Sequence, residues 1–290
     1  MLIPFFPLPS RPETTVQFNA PSVDMAMYFC KSQESTEERD TTEYLNMLQV
    51  KESFSDARDW TANDRRTALW WVFINSRADS VIDFSYTCQH CGEEHWINQD
   101  MHELVGDLEV LAGAADMTIE ATVQGKVNTW LLKPLDGHAM ERLERMRQLL
   151  PSTSRKQEYL TALTELRLWE FVYQAHLFYD LEPDYDKSAQ YRYELIKQMD
   201  VGTEFAHLAA SVRMMQQNLR HGLNVILDKG ESCLLLPPHE CPSEALKEPA
   251  ERPTTRLLVP FRNSQFLPDI GTGSLANLSQ QLGLVWPSTT

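Results

Sequence analysis

Residues 80–98 read SVIDFSYTCQHCGEEHWIN and combine two strand-like segments with a turn that contains two cysteines. The first part, Ser80–Thr87, is rich in the β-branched and aromatic residues that strands favour, and the same holds for HWIN at 95–98. Because only a short connection separates these two stretches, they predict a small antiparallel sheet. The connection itself carries two cysteines and a glycine, so metal binding and thiol redox chemistry are the two chemistries to consider at this turn.

The turn has the spacing Cys-x-x-Cys, at Cys88 and Cys91, followed directly by Gly92. A knuckle turn of this kind points both sulfur atoms at one ion, while backbone N–H groups stabilise the thiolates. A structural zinc site needs four ligands, and Cys and His are the usual ones. The candidates for the remaining positions are His95, Cys233, His239 and Cys241.

Two other interpretations of the cysteines stay open. Cys88 and Cys91 can be ordinary reduced cysteines, or they can form a thiol redox pair. Thioredoxin-type chemistry places its Cys-x-x-Cys at the start of a helix within a βαβ pattern. Here the motif lies between predicted strands, which favours the metal interpretation over the redox one.

On both sides of this stretch, the hydrophobic pattern has helical spacing. Before it, helices are predicted at Ser22–Cys30, at Thr41–Val50, and from a cap at Thr61 or Asn63 to Arg77. After it, short strands are predicted at Leu108–Gly113 and on both sides of a turn at Gln124–Gly125 within Thr118–Leu135, followed by four helices. The predicted fold class is α+β, a small antiparallel sheet with a zinc-knuckle-like turn followed by a mainly helical part.

The prolines suggest four segments. Of the 16 prolines, five lie in residues 1–21 and eight in 237–287. Proline has no N–H to donate and disfavours helices and central strands. The predicted segments are an extended arm (1–21), helices with the β/zinc-knuckle region (22–135), a helical region (136–236), and an extended arm with a short terminal helix (237–290).

Both predicted arms carry apolar residues that a disordered tail would lack. They can fold back on their own chain, or they can lie on other subunits. On the second interpretation the partner-binding residues are Phe5, Phe6, Phe261, Phe266, Leu278, Leu282 and Trp286.

The composition excludes several classes of protein. The chain has 290 residues, with 26 Lys plus Arg against 41 Asp plus Glu, a net charge of −15. Such an acidic chain is poorly suited to wrap nucleic acid, where Lys and Arg supply most of the affinity. Five cysteines do not indicate a secreted disulfide framework. The longest apolar run, Ala68 to Ile74, is too short for a membrane helix. We therefore expect a soluble protein of a reducing compartment.

The sequence also lacks the short motifs of several enzyme classes. It contains no G-x-x-x-x-G-K-[ST], no G-x-S-x-G, no H-E-x-x-H and no G-x-G-x-x-G. We expect a protein that is not an enzyme.

The order of these features resembles the T4-type bacteriophage baseplate hub protein family. The resemblance covers roughly residues 40–240. Its closest elements are Asn75-Ser76-Arg77-Ala78-Asp79-Ser80-Val81 and a Y-x-C-x2-C turn formed by Tyr86, Cys88 and Cys91. The family's second cysteine pair, late in the chain, would correspond to Cys233 and Cys241.

The resemblance implies a structural or assembly component of a contractile phage tail baseplate. Its partners would be other tail or baseplate proteins in a multi-subunit or homo-oligomeric assembly. It would not bind nucleic acid and would not insert into a membrane. It would be found in the virion baseplate, and in the host cytoplasm during assembly. Two alternatives stay open: a cytosolic zinc-ribbon regulator that binds nucleic acid or a polymerase, and an assembly chaperone absent from the mature virion.

Overall fold

The computed structural model describes residues 1–33, 35–228, 231–244 and 254–268, which form a mixed α+β fold with small antiparallel sheets. The helices are α1 (Val23–Phe29), α2 (Glu37–Leu48), α3 (Ala62–Ser76), α4 (Gly137–Gln148), α5 (Lys156–Val172), α6 (Tyr185–Lys197) and α7 (Ala206–Asn218). The strands are β1 (Phe6–Leu8), β2 (Arg11–Val16), β3 (Val81–Thr87), β4 (Glu94–Asp100), β5 (Met117–Val123), β6 (Lys126–Leu132), β7 (Ala175–Leu177), β8 (Val225–Asp228), β9 (Glu231–Leu235), β10 (His239–Glu240), β11 (Thr254–Thr255) and β12 (Leu258–Pro260).

Helix α3 lies at the centre of the first hydrophobic core, and the sequence predicted it well. Thr61 is its N-cap and forms a capping box with Asp64. The helical spacing predicts an apolar stripe of Leu69, Trp70, Phe73 and Ile74, and all four side chains are buried. Trp70 also donates its indole N–H to the carbonyl of Met101 at 2.9 Å. This core packs the N-terminal hairpin, α2 and α3 against residues from 223 to 267.

The N-terminal segment forms a hairpin that folds back on its own chain, which is the first of the two alternatives for this predicted arm. Strands β1 and β2 pair antiparallel, with a register shift after Pro7. Phe6 is buried against Phe18 and Trp71 in the first core, so its expected contact with a partner is corrected. Phe5, which directly precedes β1, is 60% exposed.

The described part of the C-terminal segment also folds onto its own chain. Strand β12 pairs with β9, and Phe261 and Phe266 stack at 4.9 Å in the first core. Phe266 meets Phe73 of α3 edge-to-face at 5.4 Å. Their expected role in partner binding is therefore also corrected, because both side chains are buried within the chain. Leu278, Leu282 and Trp286, with the predicted terminal helix, lie outside the described residues.

A second hydrophobic core contains the sheet β5–β6–β7 and helices α4 to α7. The predicted turn at Gln124–Gly125 is confirmed: both residues have positive φ, as a tight hairpin turn requires. The four predicted helices are present. Residues within 121–132 belong to this second core. The four segment boundaries inferred from proline placement stay predictions.

One predicted strand is wrong. Residues 108–113 do not form a strand; Glu109 makes only an isolated bridge to Gly222. The preceding residues, Met101–Asp107, form a 3-10 helix that carries the chain out of β4. None of the helices in the described part of the chain combines the length and the apolar character that a membrane-spanning helix needs.

A carboxylate links the two cores at the N-terminus of α2. Glu144 of α4 is buried and accepts a 2.7 Å hydrogen bond from the backbone N–H of Glu38. A carboxylate in this position satisfies N–H groups that have no partner within the helix. Burial nevertheless raises the pKa of Glu144 to about 7, because it penalises the charged form.

We expect the Glu144→Gln variant to gain stability relative to the wild type as the pH rises from 5 to 8. The pKa of Glu144 lies above its ordinary value in the folded chain, so the folded state binds the extra proton. The contribution of the protonated Glu144 to the stability of the folded chain is therefore fully present below the pKa of the unfolded state. This contribution is lost as the pH rises through about 7. Glutamine has no charge to lose. Thermal unfolding of both proteins at pH 5 and pH 8 measures the difference, and equal changes in melting temperature would contradict this account.

Candidate metal centre

The β3–β4 hairpin places the motif at its tip. The register pairs Tyr86 with His95 and Thr87 with Glu94, so the two strands end directly at the turn. Because side chains alternate between the two faces of a strand, Tyr86, His95 and Cys88 lie on one face. This is the inner face, which is turned toward the rest of the chain.

Backbone hydrogen bonds close the turn. Gly92 donates its N–H to the carbonyl of Cys88 at 2.8 Å, and Cys88 donates to the carbonyl of Glu93 at 2.9 Å. Gly92 has a φ of +77°, a left-handed conformation that glycine adopts without strain. The sequence Cys-x-x-Cys-Gly therefore folds into the knuckle that its spacing predicts.

Four potential ligands meet at this turn. One ligand atom each from Cys88, Cys91, His95 and Cys241 lies within 4.8 Å of all the others. The sulfur atoms of Cys88 and Cys241 are 3.6 Å apart, and the sulfur of Cys91 is 3.0 Å from Nε2 of His95. Ligands at about 2.3 Å around a tetrahedral zinc ion lie about 3.8 Å from each other. Three sulfurs and one imidazole nitrogen thus fit a structural zinc site in number, type and spacing.

The surroundings of the thiols favour the metal-binding thiolate form at the turn. Backbone N–H groups of Cys91 and His90 lower the pKa of Cys88, and the backbone N–H of Glu93 lowers the pKa of Cys91. Burial raises the pKa of Cys241. Cys88 and Cys241 are buried, whereas Cys91 and His95 are partly exposed, so the group lies at the surface with one side closed.

Cys241 reaches the turn from a distant part of the sequence. It follows β10, which pairs with β11, and the hydroxyl of the nearby Ser243 donates a 3.2 Å hydrogen bond to Glu93. Cys241 thereby joins the hairpin to the segment that contains β9 and β10, of which Leu234 and Leu236 lie in the first core. Spacing alone left Cys241 as one of several candidates.

Two of the predicted ligands are outside the group. Cys233 is buried in β9, where it pairs with Ile226 and Pro260. His239 packs edge-to-face on the ring of Tyr86, with ring centroids 4.8 Å apart. Because its ring is held against Tyr86, His239 lies beside the four ligands and is not one of them.

Tyr86 is the neighbour of the centre whose role the ligand spacing did not reveal. Its ring lies between His95, at 5.8 Å, and His239. Its hydroxyl is buried without a hydrogen-bond partner, as are both ring nitrogens of His239. Strand alternation was the available signal, since it places Tyr86 on the face of Cys88.

Comparison of the chain with protein-family models, with curated proteins and with solved structures finds no match.

Proposed function

We propose that this chain is a structural or assembly component of a contractile phage tail baseplate, in its hub region, and that a zinc ion stabilises its hairpin. The proposal is carried by the group of Cys88, Cys91, His95 and Cys241. This group lies at the Y-x-C-x2-C turn on which the sequence resemblance depends. A metal there has a structural role, because all four tetrahedral positions would be filled by protein atoms.

The proposed action is through protein–protein contacts and not through catalysis. The four-ligand arrangement leaves no position for a substrate or an activated water, which catalytic zinc sites keep open. The partners would be other tail or baseplate proteins, in the virion and during assembly in the host cytoplasm. Phe5, exposed on the N-terminal hairpin, is the predicted partner-binding residue that stays accessible among those described.

The charge of the β3–β4 hairpin disfavours the alternative of a zinc-ribbon regulator that binds nucleic acid. Its turn and strands carry Asp83, Glu93, Glu94 and Asp100, without Lys or Arg between 80 and 100. A nucleic-acid-binding ribbon needs positive charge to displace counterions from phosphates. The same hairpin is suited to contacts with protein.

The protein composition of tail particles tests the baseplate proposal. The phage whose genome encodes this chain should yield purified particles in which mass spectrometry detects it, in a fixed ratio to the tail-tube and baseplate proteins. Detection only in infected-cell lysates would support the assembly chaperone instead. Absence from both tails and tail-assembly intermediates would overturn the proposal.

A further inference from the structure

The outer face of the β3–β4 hairpin exposes a large aromatic side chain. Trp96 is 70% exposed and stands opposite Ser85 in the register. Residues directly opposite each other share a face. The other members of this outer face are Val81, Asp83, Thr87, Glu94, Asn98 and Asp100. Three of these residues are acidic and none is basic, so Trp96 is surrounded by negative charge.

The edge of β4 next to Trp96 is open. Cys88 bonds to Glu93 beyond one end of the pairing, and Met101 bonds to Ser80 beyond the other. Since hydrogen-bonded and non-hydrogen-bonded pairs alternate, the Ser85–Trp96 pair is of the second kind. The N–H and C=O of Trp96 therefore point away from β3, and they have no backbone partner among the described residues.

We propose that this edge and outer face bind an extended segment of a partner protein with arginine or lysine at alternate positions. The segment would add a third strand beside β4, as exposed sheet edges allow. Its residue opposite Trp96 would share the outer face, where a guanidinium can lie over the indole ring. Asp83 and Glu94 would provide the opposite charge.

Charge complementarity identifies this occupant. Residues 269–290 of this chain contain one acidic and no basic residue, so they lack the charges that the face requires. Arginine is preferred to lysine because its planar group stacks on aromatic rings and pairs with carboxylates. A basic partner segment adds to the proposed function by specifying one partner, and its binding requires neither bound zinc nor a phage tail.

Titration of the full chain with the peptide Thr-Arg-Thr-Arg-Thr-Arg-Thr tests the inference. We expect calorimetry to show binding whose affinity falls as the salt concentration increases. The Trp96→Ala variant should bind the peptide about tenfold or more weakly than the wild type does. Leu181→Ala is the matched control, because Leu181 is 93% exposed in the loop before α6. It should bind as the wild type does, and the peptide with glutamate in place of arginine should not bind.

A second variant separates binding from folding. Asp83→Asn with Glu94→Gln removes two charges but keeps Trp96 and all four metal ligands, so metal content and circular dichroism should be unchanged. Peptide affinity should fall by about threefold or more, with a smaller salt dependence. Unchanged affinity in both variants, or no binding to the wild type at millimolar peptide, would overturn the inference. Neither result bears on zinc content or particle composition, which test the proposed function.

Discussion

The Cys88→Ser variant should lose its zinc and unfold at a temperature lower by about 8–16 °C. Cys88 is a buried thiol 3.6 Å from Cys241, so its removal breaks the four-ligand group at its centre. A ligand present at a thousand times its dissociation constant stabilises a protein by about 4 kcal/mol. For a chain of this size, each 1 kcal/mol corresponds to about 2–4 °C in melting temperature.

Metal analysis and thermal unfolding measure the two effects. Cys30→Ser is the matched control, because Cys30 is exposed and its sulfur bonds only to the carbonyl of Met27 among the described contacts. It should keep both zinc and melting temperature. Treatment of the wild type with a zinc chelator should reproduce the Cys88→Ser result. A wild type purified without stoichiometric zinc, or a Cys88→Ser variant with unchanged stability, would contradict the zinc assignment.

The second large effect is expected for Asp64→Ala, which should lower the free energy of unfolding by about 3–5 kcal/mol. Asp64 is fully buried and accepts hydrogen bonds from the backbone N–H and the hydroxyl of Ser10. It also accepts from the N–H of Thr61, at 3.2 Å, within the capping box of α3. Alanine leaves these donors without an acceptor, and each buried donor that is left unsatisfied costs about 1–3 kcal/mol.

Urea denaturation measures this loss, and hydrogen exchange locates it. The amide protons of β1 and β2 should lose protection first, because Asp64 of α3 accepts the hydrogen bond of the Ser10 N–H at the turn of that hairpin. Glu13→Gln provides the control, since Glu13 lies exposed on β2. A loss below about 1 kcal/mol for Asp64→Ala would show that this network does not hold the hairpin.

Local pattern was sufficient to predict the elements whose stability is local. The capping residue and apolar stripe of α3 and the knuckle turn at Cys88 are determined by neighbours in sequence. The N-terminal hairpin was missed because Pro7 and Pro12 disfavour strands, yet this two-stranded sheet accommodates them, with a register shift after Pro7. Burial of Phe266 depends on α3, far away in sequence, and no periodicity reports that contact.

The metal centre shows the same limit. The spacing of Cys88, Cys91 and His95 is local, and the structure brings all three together. The fourth ligand was ambiguous, because Cys233, His239 and Cys241 all stayed candidates from the sequence. Pairing of β9 with β8 and β12 keeps Cys233 away, whereas the chain after β10 delivers Cys241. Such selection is a property of tertiary structure and not of the motif.

The separation of Cys88 and Cys241 also sets the order of events during translation. They are 153 positions apart, so the ribosome needs about 8–30 s to reach the second after the first, at 5–20 residues per second. Until then a nascent chain offers only three of the four ligands. The complete ligand set is therefore available only after synthesis has passed Cys241, and products terminated before that residue would lack the fourth ligand of the proposed zinc site.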